Sequence, residues 1–264
     1  MKRSERLYWL RFSIALVMIY AALSGWAASA SDAMIFFPNY ASRAEPDGAV
    51  HVMTKEGVRL SAVFLPNVNA KLTLWHFHGN AEALADIMPR LNELRDFGFS
   101  VFALEYPGYG TSGGRATEKQ IYASLDAGLR YLREECNVAP AQLVLHGRSL
   151  GGGPAVELAH RESVAGLILE STFTSAFRVV TRWPLLPGDK FKNLRKLSAV
   201  KCPVLVIHGR DDRTIPFHHG QSLYATVRSK SKQYLWVDHA GHNDLRRWAG
   251  ESYRQSFVEF AEKL

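Results

Sequence analysis

Ser149 stands in Gly147-Arg148-Ser149-Leu150-Gly151, directly after the apolar run Leu143-Val144-Leu145 and directly before Gly152-Gly153-Pro154-Ala155-Val156-Glu157-Leu158-Ala159. A G-x-S-x-G turn between a strand and a helix exposes its serine hydroxyl at the carboxyl edge of a sheet. The turn strains the backbone at the serine, so the residues two positions away must lack bulk, and glycine fits there. A helix that starts at the serine also aims N–H groups and a positive dipole end at any oxyanion formed there. The chemistry this arrangement suits is nucleophilic attack on an acyl carbon. The same pattern occurs a second time, in Gly110-Thr111-Ser112-Gly113-Gly114. There the apolar run Phe99 to Leu104 ends well before the serine, the loop Tyr106-Pro107-Gly108-Tyr109 intervenes, and four glycines oppose a helix. Ser112 is therefore expected as a turn residue, and Ser149 as the nucleophile.

A serine hydroxyl attacks well only when a base takes its proton and a third group fixes the tautomer of that base. With the strand–turn–helix serine, the partners follow in the order acid, then histidine, each on a loop after a strand. The apolar run Val204-Leu205-Val206-Ile207 leads into His208-Gly209-Arg210-Asp211-Asp212-Arg213-Thr214-Ile215-Pro216. The run Tyr234-Leu235-Trp236-Val237 leads into Asp238-His239-Ala240-Gly241-His242-Asn243. Asp211 and Asp212 compete for the acid, with Glu170 as a third candidate whose plainer reading is a strand-end carboxylate capping Ser171 or Thr172. His239 and His242 compete for the base, and Gly241 permits the turn that brings the His242 ring inward. The oxyanion donors are expected from the Leu150 N–H and from the loop His78-Gly79-Asn80, through the Asn80 backbone or else its side chain. His218-His219 lacks a further metal ligand at suitable spacing and reads as a solvated helix start. No metal or organic cofactor is implied.

These loops need a rigid frame, and the chain alternates strand-like and helical segments suited to one. Val50 to Thr54 and Val58 to Leu65 read as a hairpin, followed by strands at Leu72–Phe77, Phe99–Leu104, Leu143–Leu145, Val164–Leu169, Val204–Ile207 and Tyr234–Val237. Helical spacing covers Ala81–Phe97, Thr117–Glu135, the segment after Ser149, Gln221–Val227 and Ser252–Lys263. Strands that are continuous apolar runs, alternating with helices, predict an α/β fold with a mostly parallel sheet and helices on both faces.

With 264 residues, 47% hydrophobic and 22% charged, the chain suits one large domain. Of the net charge of +7, +3 lies within residues 1–30, which leaves too little elsewhere to argue for nucleic acid. Phe12 to Ala30 carries no formal charge, close to the ~20 residues that span a bilayer core. Basic residues precede that run, so a membrane anchor would leave the catalytic domain outside the cytoplasm. A cleaved signal peptide, giving a secreted or periplasmic product, is the competing reading, with Ala28-Ser29-Ala30 fitting its cleavage site, and the run weakens near Ser24-Gly25. The anchor is the preferred reading. The expected organisation is an anchor or signal over 1–30, a link over 31–48 and a catalytic domain over 49–264. Cys136 and Cys202 are expected as free thiols.

Taken together, these stretches resemble the α/β-hydrolase superfamily, and more narrowly the membrane-anchored bacterial serine hydrolases related to eukaryotic α/β-hydrolase-domain depalmitoylases. The resemblance rests on His76-Phe77-His78-Gly79-Asn80-Ala81, Tyr106 to Ser112, Gly147 to Gly152, Leu167 to Phe173, His208 to Asp212 and Gly241-His242. It implies the α/β-hydrolase fold and, through its H-G-x-x-D pattern, Asp212 as the acid beside Ser149 and His242. Glu105-Tyr106-Pro107 departs from the commoner D-Y-R, and the cysteine-rich lipidated amino terminus of the depalmitoylases is absent, so their palmitoyl substrate does not transfer. The fold's cap would occupy residues 172–203, where Phe177, Trp183, Leu185 and Leu186 could line an acyl pocket or simply pack the cap. Lys190, Lys192, Arg195, Lys196 and Lys201 could face anionic headgroups or form an ordinary solvated surface. The leading expectation is an esterase or thioesterase acting on a small-molecule or acylated substrate. A serine peptidase or amidase, and a non-catalytic binding module on the same fold, are the alternatives.

Overall fold

The computed structural model describes residues 3–181 and 187–264, so Trp183, Leu185 and Leu186 lie outside the described residues. The leading hairpin forms β1 (Val50–Met53) and β2 (Arg59–Leu65), antiparallel to each other, and β2 also pairs antiparallel with a later strand. The rest of the sheet is β3 (Thr73–Phe77), β4 (Ser100–Leu104), β5 (Leu143–Arg148), β6 (Gly166–Glu170), β7 (Val204–Gly209) and β8 (Lys232–Val237). Their spatial order continues from β2 as β4, β3, β5, β6, β7, β8, all parallel. The chain thus adopts the α/β-hydrolase fold, with an eight-stranded, mostly parallel sheet.

Every residue of β3, β5, β6 and β7 is buried, because helices cover both faces of the sheet. The period of two along each strand divides the core. Trp75, Phe77, Leu145, Leu169 and Val206 point to one face, and Leu74, Val144, Ile168 and Leu205 to the other. The second face is covered by α2 (Leu84–Asp96) through Ile87 and Leu91, its Pro89 absorbed without ending the helix. On the first face lie α3 (Glu118–Glu134) through Ile121 and Leu125, and α4 (Gly152–Arg161) through Val156 and Leu158. The Thr117 hydroxyl caps α3 by accepting from the Gln120 N–H at 3.1 Å.

One helix precedes the sheet. This α1 runs from Arg3 to Ile35, five residues into the segment expected as a link. Its stretch Ser4–Ala27 has a mean hydropathy of 1.6 and lies outside the core. At about 1.5 Å per residue, 24 residues make ~36 Å, enough to cross a ~30 Å hydrocarbon layer. Past Ala27 the helix continues because its last turns find partners on the domain. Ala27, Ser31 and Phe36 are buried, and Asp32 pairs with Lys190 at 3.4 Å.

Two short helices were not legible from periodicity: α5 (Asn193–Leu197), inside the basic segment, and α7 (Leu245–Ala249), just after the His242 loop. Between α5 and α7 runs α6 (His218–Thr226), and α8 (Glu251–Ala261) closes the chain with Phe257 and Phe260 under the sheet. Within the described part of the cap, Ala176–Val179 form a single tight turn.

Phe191 joins α1, α3 and the cap. Its ring lies 5.9 Å from Phe36, 5.8 Å from Tyr122 and 6.3 Å from Phe173, and it is fully buried. Phe191→Ala should therefore cost about 3–5 kcal/mol of unfolding free energy. Urea titration checks this, and a loss below 1 kcal/mol would mean the cluster closes around the gap.

Candidate active site

The site begins with the turn between β5 and α4. Ser149 has φ of +51°, a left-handed conformation that a serine holds only when its surroundings enforce it. A side chain at Gly147 would meet the Gly151 carbonyl at 2.5 Å, and one at Gly151 would meet the Phe77 carbonyl at 2.0 Å. The Thr172 hydroxyl, at the end of β6, donates to the Ser149 carbonyl at 2.6 Å and fixes the turn from below.

His242 Nε2 lies 3.0 Å from Ser149 Oγ, and His242 Nδ1 lies 2.8 Å from Asp212 Oδ2. The other Asp212 oxygen accepts from the Thr214 and Ile215 N–H groups at 2.9 and 2.8 Å. Burial would raise the Asp212 pKa, but the hydrogen bond and charge at His242 and the Ile215 N–H outweigh it and hold the carboxyl below its ordinary value. Asp211 and His239 point outward together, 3.9 Å apart and largely exposed. The two competing pairs are thereby separated: Asp212 and His242 face the serine, Asp211 and His239 face away.

The remaining candidates take structural positions. The Ser112 hydroxyl accepts from the Ser61 N–H at 3.0 Å, in a turn between β2 and the loop after β4. His219 is buried, with Nδ1 3.0 Å from the Thr174 hydroxyl, so it is not the solvated residue expected. Lys196 pairs with Glu157 at 2.6 Å and Lys190 with Asp32, while Lys192, Arg195 and Lys201 are exposed. Cys136 and Cys202 are free.

After β3, the loop His78–Asn80 is locked residue by residue. His78 meets Glu105 at 2.9 Å, and the Tyr106 hydroxyl donates to the His78 carbonyl at 2.8 Å. The Gly79 N–H donates to Glu82 at 2.8 Å. The Asn80 side chain is committed elsewhere: its amide donates to the Ile35 carbonyl at 2.6 Å, and its oxygen accepts from the Tyr109 hydroxyl at 2.6 Å and the Phe37 N–H at 3.0 Å. One N–H of the side-chain amide is thereby engaged by the end of α1. Among the described residues the Asn80 N–H has no hydrogen-bond partner, and Asn80, Ser149 and Leu150 line one cavity.

That cavity has a volume of about 390 Å³. Phe177, Phe173 and Val180 line it from the cap side. Opposite are Trp26, Met34, Ile35 and Phe37, which the sequence reading assigned to an anchor and a link. The signal that could have flagged them is the run Met34-Ile35-Phe36-Phe37, four apolar residues in an otherwise polar stretch.

A second group escaped the sequence reading: the buried polar network behind the serine. Arg148 donates to Glu82 at 2.8 Å and to the Asn243 side chain at 2.8 Å, and its Nε lies 3.6 Å from Glu170. One guanidinium therefore links the serine turn, the segment after Asn80, the end of β6 and the His242 loop. Glu170 does not cap Ser171 or Thr172. It accepts from the Tyr253 hydroxyl at 2.7 Å and meets His146 Nε2 at 3.0 Å. Burial would raise the Glu170 pKa, but the hydrogen bond and charge at His146 and the charge of Arg148 bring it down to about 2.

In the unfolded chain the same carboxyl titrates near 4.5, so its folded value is depressed. Its stabilising contribution is complete above that pH and is lost as the pH falls towards 2. Glu170→Gln should accordingly shrink the loss of unfolding free energy between pH 7 and pH 3 by about 2 kcal/mol. Urea titrations at the two pH values decide it, an unchanged loss being the contrary result.

Comparison with known proteins places this geometry in a family. A family model described as "Serine aminopeptidase, S33" matches residues 68–193. The human α/β-hydrolase domain-containing protein 17B is 37% identical over 230 residues, covering 85% of this chain and 78% of the human protein. The α/β-hydrolase domain-containing protein aho-3 of Caenorhabditis elegans is 39% identical over 204 residues, which is 74% of this chain and 59% of the nematode protein's length. Among solved structures, an esterase of Pyrococcus furiosus superposes with a TM-score of 0.69 at 20% identity, covering 81% of this chain and 91% of that one. A monoacylglycerol lipase of Paleococcus ferrophilus gives a TM-score of 0.61 at 18% identity, covering 76% and 98%. The structures share the fold. The chain belongs to the α/β-hydrolase domain-containing protein family.

Proposed function

We propose that this chain hydrolyses carboxylic esters or thioesters by two-step acyl transfer. His242 takes the proton of Ser149 as the hydroxyl attacks the carbonyl carbon, and the resulting oxyanion rests on the Asn80 and Leu150 N–H groups. His242 then returns the proton to the leaving alcohol or thiol. Water, deprotonated by His242, attacks the acyl-enzyme, and His242 passes that proton to Ser149 Oγ as the acyl–oxygen bond breaks and the acid leaves. Asp212 stays anionic throughout, keeps Nδ1 of His242 protonated and stabilises the imidazolium. The observation that carries this reading is the hydrogen-bonded line Ser149–His242–Asp212 beside a cavity whose described lining residues are all uncharged.

The matched family description gives the peptidase reading its support. An aminopeptidase must hold the ammonium of its substrate, and an unpaired buried ammonium is costly. The described lining of this cavity offers it no carboxylate. Apolar walls suit an acyl chain better. Membrane attachment belongs to the same proposal: α1 anchors the chain through Ser4–Ala27, and the basic residues Arg3, Arg6 and Arg11 hold its start on the cytoplasmic side.

A fluorophosphonate probe should label the full chain in detergent, and Ser149→Ala should abolish labelling and lower ester turnover roughly 10⁶-fold. Asp212→Asn should lower it roughly 10⁴-fold with labelling slowed in parallel. Folded wild type that resists the probe would favour a binding module. Turnover of peptide anilides but not p-nitrophenyl esters would favour the peptidase.

A further inference from the structure

The helix that would carry the chain's membrane span also forms part of the cavity beside the proposed nucleophile. Trp26, Ala27, Met34 and Ile35 of α1 line one wall, and Phe37 follows just past its end. From Ala27, the last residue of the apolar stretch, to Ile35 the helix advances about 12 Å. The cavity therefore begins where the apolar stretch ends.

This wall is fastened to the chemistry. The Asn80 amide donates to the Ile35 carbonyl at 2.6 Å, and the Phe37 N–H donates to the Asn80 side chain at 3.0 Å. Asp32 pairs with Lys190, and Phe36 packs on Phe191. The residue proposed to supply an oxyanion donor is thus tied directly to the end of α1. The wall stays partly open, since Trp26 is 59% and Met34 53% exposed, and Val180 across the mouth is 90% exposed. Large apolar groups at a cavity mouth stay uncovered at a cost in water, and that cost vanishes against lipid. They are continuous with the exposed apolar surface of Ser4–Ala27.

We infer that the last turns of α1 form one wall of an acyl channel, through which the acyl chain of a bilayer-resident ester or thioester reaches Ser149 along the helix. The inference rests on the ester-hydrolase reading and on the anchoring of α1. It adds that the substrate is a membrane amphiphile drawn from the same bilayer, and that α1 selects its chain.

The test uses the full chain reconstituted in phosphatidylcholine vesicles, with p-nitrophenyl butyrate as the water-soluble ester and p-nitrophenyl palmitate as the bilayer ester. Met34→Trp, which fills the wall from an exposed position, should lower the ratio of palmitate to butyrate kcat/KM by at least about tenfold. Leu10→Trp, on α1 away from the cavity, should leave both substrates unaffected. Palmitate ester preloaded in the enzyme's own vesicles should turn over much faster than ester supplied in separate vesicles. An unchanged ratio in a Met34→Trp protein that floats with vesicles and labels at Ser149 would overturn the channel alone, as would equal turnover from both vesicle populations. Wild type that neither labels nor cleaves the butyrate ester would instead defeat the hydrolase reading, and wild type that fails to float would defeat the anchor.

Discussion

The tightest constraint in this fold is the approach of Gly151 to the carbonyl of Phe77, where one added carbon would sit 2.0 Å from the oxygen. That contact lets the chain leave β5, invert at Ser149 and start α4 without moving away from β3. Because β3 and β5 are neighbours, the same closeness puts the loop after β3 beside the serine. Asn80 and Ser149 thus line one cavity as a consequence of the β3–β5 pairing. The parallel run from β3 through β8 does the same for Asp212 and His242, each delivered to the carboxyl edge by the strand before it.

Positive φ at Ser149 is unfavourable by itself, and the surroundings that hold it are polar and buried. Arg148 is the centre of that support. Its neighbours Glu82 and Glu170 are both held below the ordinary carboxylate range, Glu82 because the charges of Arg148 and Arg90 outweigh its burial. A chain of rings continues inward: His146 faces Glu170 through Nε2 and His76 through Nδ1, 3.1 Å away. Burial, and then the neighbouring charge at His146, depress the His76 pKa well below the usual histidine range, so His76 stays neutral. Burying so many polar groups is tolerable because most of their polar atoms are paired, although among the described residues His76 Nε2 is buried without a hydrogen-bond partner.

Much of this was legible in the sequence, for local reasons. Strand–turn–helix signals around Ser149 are contiguous, so the choice against Ser112 needed no tertiary knowledge. The loops that carry Asp212 and His242 follow apolar runs read as strands, and Gly241 marked the inward turn, whereas the preference for Asp212 over Asp211 came from the family pattern. The Arg148 network was not legible, since its members are spread from Glu82 to Asn243 and no spacing rule connects them. Nor were α5 and α7, five residues each and too short for a helical period to register. Glu170 misled because a strand-end carboxylate has nearby N–H groups to cap, whereas its real partners come from β5 and α8.

The end of α1 failed to register for a different reason, and the reason is informative. Read by composition, an apolar run followed by Pro, Asn and Asp divides into a membrane segment and a link, each with one task. The structure places the apolar run and the first five residues of the expected link on one continuous helix whose last turns touch the domain. A helix that only anchored would gain nothing from ordering its final turns, since a flexible link holds a domain at a membrane equally well. Here the Ile35 carbonyl, the Phe37 N–H, Asp32 and Phe36 are all engaged by the domain. Each of these contacts removes chain entropy that a plain tether would keep, so their joint presence argues for a wall with a fixed position. A wall built of Trp, Met, Ile and Phe, beginning at the end of an apolar span and running about 12 Å along the helix, matches an acyl chain in both chemistry and place.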